Sequence, residues 1–138
     1  MNEDIIARAS GIISRNIGDS GYCALALIDG DGYPHASTIS PAKTSGIRVI
    51  HFCTGFGART AKIGDRAKAS VCFNSPEYNV TLDGTIEIVT DPAVKRDAWY
   101  DAMSAHFSGP EDPGYCVLRF TTERYSLFVD LKEARGTI

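Results

Sequence analysis

The chain has 138 residues, a formal net charge of −3, 43% hydrophobic residues and 22% charged ones. That length fits one domain, residues 1–138, burying roughly two-thirds of its unfolded surface without staples. The mild acidity excludes nonspecific attraction to nucleic acid or an anionic membrane, so a bound anion needs a local cluster of cations.

The first ten residues are acidic and lack a long apolar run, which is unlike a secretory signal. No apolar stretch approaches the ~20 residues that span a bilayer, so no membrane partner is expected and the expected location is cytoplasmic. Residues 4–17 are predicted as an amphipathic helix. Ile5, Ile6, Ala9, Ile12 and Ile13 fall on one stripe, and Gly18 supplies a stop. Two β-like runs, residues 22–29 and 33–40, flank Gly30-Asp31-Gly32, a hairpin signal. Both faces of residues 22–28 are apolar, which predicts a strand buried on two sides. A polar turn over residues 43–46 leads to a third strand, residues 47–54. From Gly55 the chain reads as a loop entering a short helix.

Residues 67–74 are a fourth strand and residues 78–89 a long fifth, with Gly84 marking a bulge or bend. Asp91-Pro92 starts a helix, with Asp91 as cap and Pro92 in the first turn. Val94, Ala98, Trp99, Ala102 and Met103 form its apolar stripe. After a loop over residues 107–114, residues 115–131 read as one or two final strands, and the last residues fray. Strands follow one another without intervening helices. That predicts a mostly β (α+β) antiparallel barrel with flanking helices, and disfavours a doubly wound parallel sheet. Cys23, Cys53, Cys72 and Cys116 lie in apolar runs without C-x-x-C spacing and read as four reduced, buried thiols. His35, His51 and His106 lack metal-ligand spacing, so no metal is expected.

Three segments could carry chemistry. At the end of the third strand Thr54 precedes a glycine-rich turn, Gly55 to Gly57, and a helix start bearing Arg59, Thr60 and Lys62. Glycines let backbone N–H groups approach a ligand, a helix start offers unpaired donors, and arginine forks onto phosphate oxygens. These make a phosphate cradle, or else a tight turn with solvated charges. Ser37, Thr38 and Ser40 place hydroxyls on a strand, with Ser37 and Thr38 on opposite faces. They meet a polar ligand, or else a solvated edge. On the fifth strand Asn79, Thr81 and Asp83 share one face. Asn79 can donate and accept hydrogen bonds, as a heteroaromatic ring edge requires, or else faces solvent. There is no G-x-S-x-G, no nucleophile paired with histidine and no G-x-G-x-x-G. The catalytic residues are therefore unknown.

Together these segments resemble the FMN-binding split barrels of the pyridoxamine 5'-phosphate oxidase superfamily, and most closely its bacterial general stress protein group. Three runs carry the resemblance: DGYPHASTIS (31–40), FCTGFGART (52–60) and NVTLDGTIEIVTDP (79–92). The resemblance implies an FMN-binding split barrel over nearly the whole chain, with Ser37, Thr38 and Ile39 lining the flavin. It places the phosphate on the turn, at Thr54, Arg59, Thr60 and Lys62, and puts Asn79 beside the ring. It implies a homodimer with two flavin sites at its interface, and a flavoprotein oxidoreductase on an unknown small molecule. The alternatives are a non-catalytic flavin-binding or stress-related protein, or a barrel holding haem or a deazaflavin. Two departures stand out. Thr60 stands where the family often has lysine, and Ser37 stands where the oxidases usually carry arginine. The C-terminal extension that holds the oxidases' substrate is absent, so pyridoxamine-phosphate oxidation itself is not expected.

Overall fold

The computed structural model describes residues 2–138. Helix α1 (Glu3–Arg15) buries Ala9, Ile12 and Ile13 and ends before the expected residue 17. Gly18, at φ +61°, begins a 3-10 turn instead. β1 (Cys23–Ile28) and β2 (Pro34–Ile39) form the expected hairpin. Asp29 organises its turn, since Oδ1 accepts from the N–H of Asp31 at 3.0 Å and of Tyr33 at 2.9 Å. Gly32 supplies the φ of +85° that a side chain would resist.

Residues 43–45 are not part of a turn. β3 (Pro41–Ser45) pairs with β4 (Val49–Gly55), and the exposed Lys43 and Ser45 of this edge strand had read as turn residues. α2 (Ala58–Ile63), β5 (Arg66–Ser75) and β6 (Tyr78–Val89) follow. α3 (Pro92–Ala98) starts as expected, but the Asp91 side chain makes no capping bond and the helix breaks at the extended Trp99. A 3-10 turn, Asp101–Ala105, brings Met103 back to the apolar shell that Val94 and Trp99 pack against. The final residues do not fray. β7 (Tyr115–Val129) and β8 (Lys132–Thr137) form a hairpin.

All pairings are antiparallel. The strand order is β2-β1-β5-β6-β7-β4-β3, with β8 branching from β7. The branch has a local cause. Between Asp83 and Gly84 the β6–β7 register slips, leaving Glu123 without a cross-strand partner on β6, and a side chain at Gly84 would run into the Thr121 carbonyl. The bulge bends both strands. Before it, β7 pairs with β4; after it, with β8. The sheet therefore curls into a split barrel, mostly β with flanking helices, and α1 packs into the same core as Leu25, Val71 and Phe120.

The outer surface of the sheet is covered on one half only. There α3 and the 3-10 turn pack over β4 and β7 through Cys53, Ala98, Tyr115 and Val117. The other half is bare, which corrects two expectations. β1 is buried on one face: Cys23, Leu25 and Leu27 are inside, while Ala24 and Ala26 are half-buried and Ile28 is exposed. Of the four free thiols, Cys72 is only half-buried.

Candidate anion-binding site

Four of the expected site residues meet at the edge of the barrel. Arg59, on α2, donates through Nη2 to Ser37 Oγ and to the Thr38 carbonyl, both at 3.1 Å. Its Nη1 lies 3.5 Å from Thr54 Oγ1 at the end of β4. One guanidinium thus ties α2 to edge strand β2 and to β4. All three acceptors are neutral. Arg59 Nε is buried and has no partner among the described residues. Burial pulls the pKa of Arg59 down from its ordinary value, with Cys23 opposing. Among the described residues no carboxylate lies within ion-pair distance of Arg59 or Lys62.

Lys62 folds back along the helix, with Nζ 3.4 Å from the Ala58 carbonyl. Between α2 and β2 lies a recess of about 210 Å³, bounded by Leu27, His35, Ser37, Ala58, Arg59 and Lys62 and by no acidic residue. Sequence reasoning had not placed His35 there. Strand alternation is the signal that could have found it, since His35 lies two residues before Ser37 on the same face.

The remaining candidates lie differently. Thr60 is 6% exposed, and its hydroxyl accepts from the Gly57 N–H at 2.8 Å and donates to the Gly57 carbonyl at 3.0 Å. It fastens the turn. With six residues, α2 is too short to sum many peptide dipoles, so side-chain cations rather than a helix end set the charge here. Ile39 belongs to the core. Asn79 does not join the cluster. It lies three strands away on the bare outer face, where its Nδ2 donates to Thr81 Oγ1 at 2.9 Å and its Oδ1 accepts from Cys72 Sγ at 3.3 Å. Thr38, Ala24, Cys72 and Thr81 are cross-strand neighbours, so the Thr38 side chain shares that face with Asn79.

A larger recess of about 390 Å³ opens beside Ala26, Ile28, Pro34, Ser70, Asp83 and Arg124. Its charges already satisfy one another. Arg124 Nε lies 2.7 Å from Asp83 Oδ2, Ser70 Oγ donates to Oδ1 at 2.6 Å, and Lys68 pairs with Glu123 at 2.7 Å. Burial alone would raise the Asp83 pKa, but Ser70 and Arg124 hold it below the ordinary value. His51 accepts from Arg119 Nε at 3.2 Å, and burial, Arg119 and Lys43 keep its pKa low. Among the described residues no helix is long and apolar enough to cross a membrane.

Comparison with known proteins agrees with this fold. The family model described as pyridoxamine 5'-phosphate oxidase matches residues 13–128. No curated protein matches the sequence. A protein from Clostridium acetobutylicum, related to general stress protein 26 of B. subtilis, superposes with a TM-score of 0.85 at 23% identity, covering 100% of this chain and 97% of that one. A pyridoxamine 5'-phosphate oxidase-related, FMN-binding protein from Nostoc punctiforme superposes at 0.70 and 14% identity, covering 99% and 96%. A haem-binding protein from Mycobacterium smegmatis superposes at 0.68 and 20% identity, covering 96% of this chain and 57% of that one.

Proposed function

We propose, for a chain that belongs to the pyridoxamine 5'-phosphate oxidase family, that it binds FMN and holds the phosphate in the recess between α2 and β2. One observation carries this reading: among the described residues Arg59 has a buried Nε without a partner, only neutral acceptors and no carboxylate within ion-pair distance. A cation desolvated in this way costs free energy that an anion recovers. A phosphate monoester brings about −1.5 to −2 charges and three strong acceptors. Arg59 and Lys62 would hold it, while Thr60 keeps the turn in shape. When bound, the flavin supplies redox chemistry and the protein supplies binding and electrostatics, so oxidoreductase activity on a small molecule needs no catalytic side chain.

The bare outer face, with Ala24, Ala26, Thr38 and Cys72, is the surface we assign to a second copy, giving a homodimer. Asn79 and the Thr38 side chain would then meet the ring at that interface. Haem is the second reading, supported by the likeness to a haem-binding protein. The uncompensated cations favour the phosphate.

Titrating the purified protein with FMN tests the reading through quenching of flavin fluorescence. Saturation in the micromolar range is expected, with riboflavin binding more weakly. Equal affinities for the two would overturn the phosphate assignment. A Soret band on haem titration with no flavin binding would favour the haem reading. Light scattering that shows a stable monomer would remove the dimer.

A further inference from the structure

The recess beside Arg59 has a third basic wall that neither the motif nor the hydrogen bonds reveal. His35 lies on β2, opposite Leu27 of β1 and two residues before Ser37, the residue that accepts from Arg59. Alternation puts His35 and Ser37 on one face. His35 lines the same recess as Arg59 and Lys62, and the remaining wall residues, Leu27, Ser37 and Ala58, are neutral. The charged groups on the packed elements are Arg59 and Lys62 of α2. β1 contributes only Leu27, and Oδ1 of Asp29 in the hairpin turn is taken by two backbone N–H groups. Among the described residues His35 takes part in no ion pair.

Histidine is the side chain whose ordinary titration crosses the physiological range. Arginine and lysine side chains are cations throughout that range, and a histidine gains its charge only as pH falls. The geometry points to His35 as a third, pH-dependent cation for the phosphate, tightening the grip on a phosphorylated ligand as the surroundings acidify. This rests on the FMN-phosphate reading and adds a regulation to it. The sign is set by charge alone. With a protonated imidazole the recess carries three positive charges, and with a neutral one it carries two. The phosphate itself loses part of its charge below its second pKa of about 6, which weakens all three contacts together. The signature is therefore a difference between variant and wild type at each pH, and not the pH profile of wild type alone.

The test measures FMN and riboflavin affinity by fluorescence quenching at pH 5.5 and pH 8.0, for wild type, His35→Gln, His35→Lys and Arg59→Ala. His35→Gln should weaken FMN about three- to fivefold at pH 5.5, the scale of one solvent-facing charge pair, and leave it almost unchanged at pH 8.0. His35→Lys should bind FMN at pH 8.0 more tightly than wild type, because it supplies the third charge permanently. Riboflavin should not respond to either substitution. If Arg59→Ala weakens FMN selectively while His35→Gln matches wild type at both pH values, the role of His35 is wrong and the phosphate site stands. If Arg59→Ala also leaves FMN unchanged, the site itself is misplaced.

Discussion

Lys95 and Arg59 are both cations held partly or wholly out of water with no carboxylate in ion-pair contact among the described residues, and they differ in whether the protein uses up their donors. Lys95, on α3, is 8% exposed. Its Nζ donates to the Asp112 carbonyl at 3.0 Å and sits 5.2 Å from the centre of the Tyr115 ring. The Tyr115 hydroxyl donates to the Lys95 carbonyl at 2.8 Å and lies 3.3 Å from Cys53 Sγ, which itself reaches the Ala98 carbonyl at 3.2 Å. Trp99 and Phe107 pack edge-on or tilted against the same ring, with centroids 5.2 and 5.5 Å away. The result is a closed clasp that holds α3 on β4 and β7. Arg59 faces a recess, its Nε has no partner, and the neighbouring wall is basic. A missing counter-ion thus accompanies structure in one place and, in our proposal, a ligand in the other. What distinguishes them is whether the protein's own acceptors complete the hydrogen bonding.

The closed character of the α3 region can be tested most severely through its thiols. Burial pushes Cys116 up to about 11, against the pull of Lys95, and raises Cys53 as well. At pH 8 a thiol of that pKa is ionised about one part in a thousand, and the thiolate is the reactive form. Iodoacetamide at pH 8 should leave both residues unmodified in the native protein and label both in urea, a difference in rate of about a thousandfold or more. Rapid native labelling, read by mass spectrometry, would show that the clasp opens. The same shift has a linkage consequence. The folded pKa lies above the unfolded one, so its contribution is complete below the ordinary thiol range near pH 9 and is lost as pH rises toward 11. The urea midpoint should accordingly fall between pH 8 and pH 10.5.

Removing the two cations should have opposite consequences. Lys95→Ala strands the Asp112 carbonyl and strips a packed stem from Tyr115, a loss of about 2–4 kcal/mol of stability by urea unfolding. FMN affinity should be unchanged wherever the variant is folded. Lys95→Met restores the stem and should lose less. Arg59→Ala should cost about 1.5–3 kcal/mol of FMN binding, or ten- to hundredfold in affinity, with riboflavin much less affected. Its stability should move by no more than about 1 kcal/mol, because three hydrogen bonds to neutral acceptors are lost together with one unsatisfied Nε. An FMN effect at Lys95 equal to that at Arg59 would erase the distinction between clasp and site.

Much of this contrast was legible in the sequence, and the illegible parts have physical reasons. The strand-to-helix turn with Arg59 announced itself because Gly55 to Gly57 and a basic helix start are chemically unusual, and Gly84 announced the bend because little else explains a glycine inside an alternating strand. Lys95 gave no signal. A lysine between Val94 and Ala98 reads as the wet face of a helix, and only the tertiary approach of Tyr115 and Asp112 buries it. β8 was hidden in the same way. Its Lys132, Glu133 and Arg135 are exposed, Ala134 alone is buried, and its pairing with β7 makes it a strand. The family resemblance put Arg59 at the phosphate and Asn79 beside the ring of one expected site, and residue patterns do not say how far apart the two lie. The strand order, which residue patterns do not encode, separates them.

Lys62 marks the smallest expected effect and the finest division of the site. Among the described residues its Nζ reaches only a carbonyl, at 3.4 Å, and no carboxylate pairs with it. It is free to swing toward a phosphate, but it starts almost a turn further from the glycine-rich loop than Arg59 and keeps contact with water. A flexible, hydrated ammonium gains less from an anion than a guanidinium already held by Ser37, Thr38 and Thr54. Lys62→Ala should therefore weaken FMN about two- to fivefold, within the range of an exposed charge pair, and most of that loss should vanish in high salt. The Arg59→Ala deficit should survive the same salt, because its contact is partly buried. If Lys62→Ala instead matched Arg59→Ala in size and in salt resistance, the phosphate would sit deeper along α2, and Lys62 would be its principal ligand.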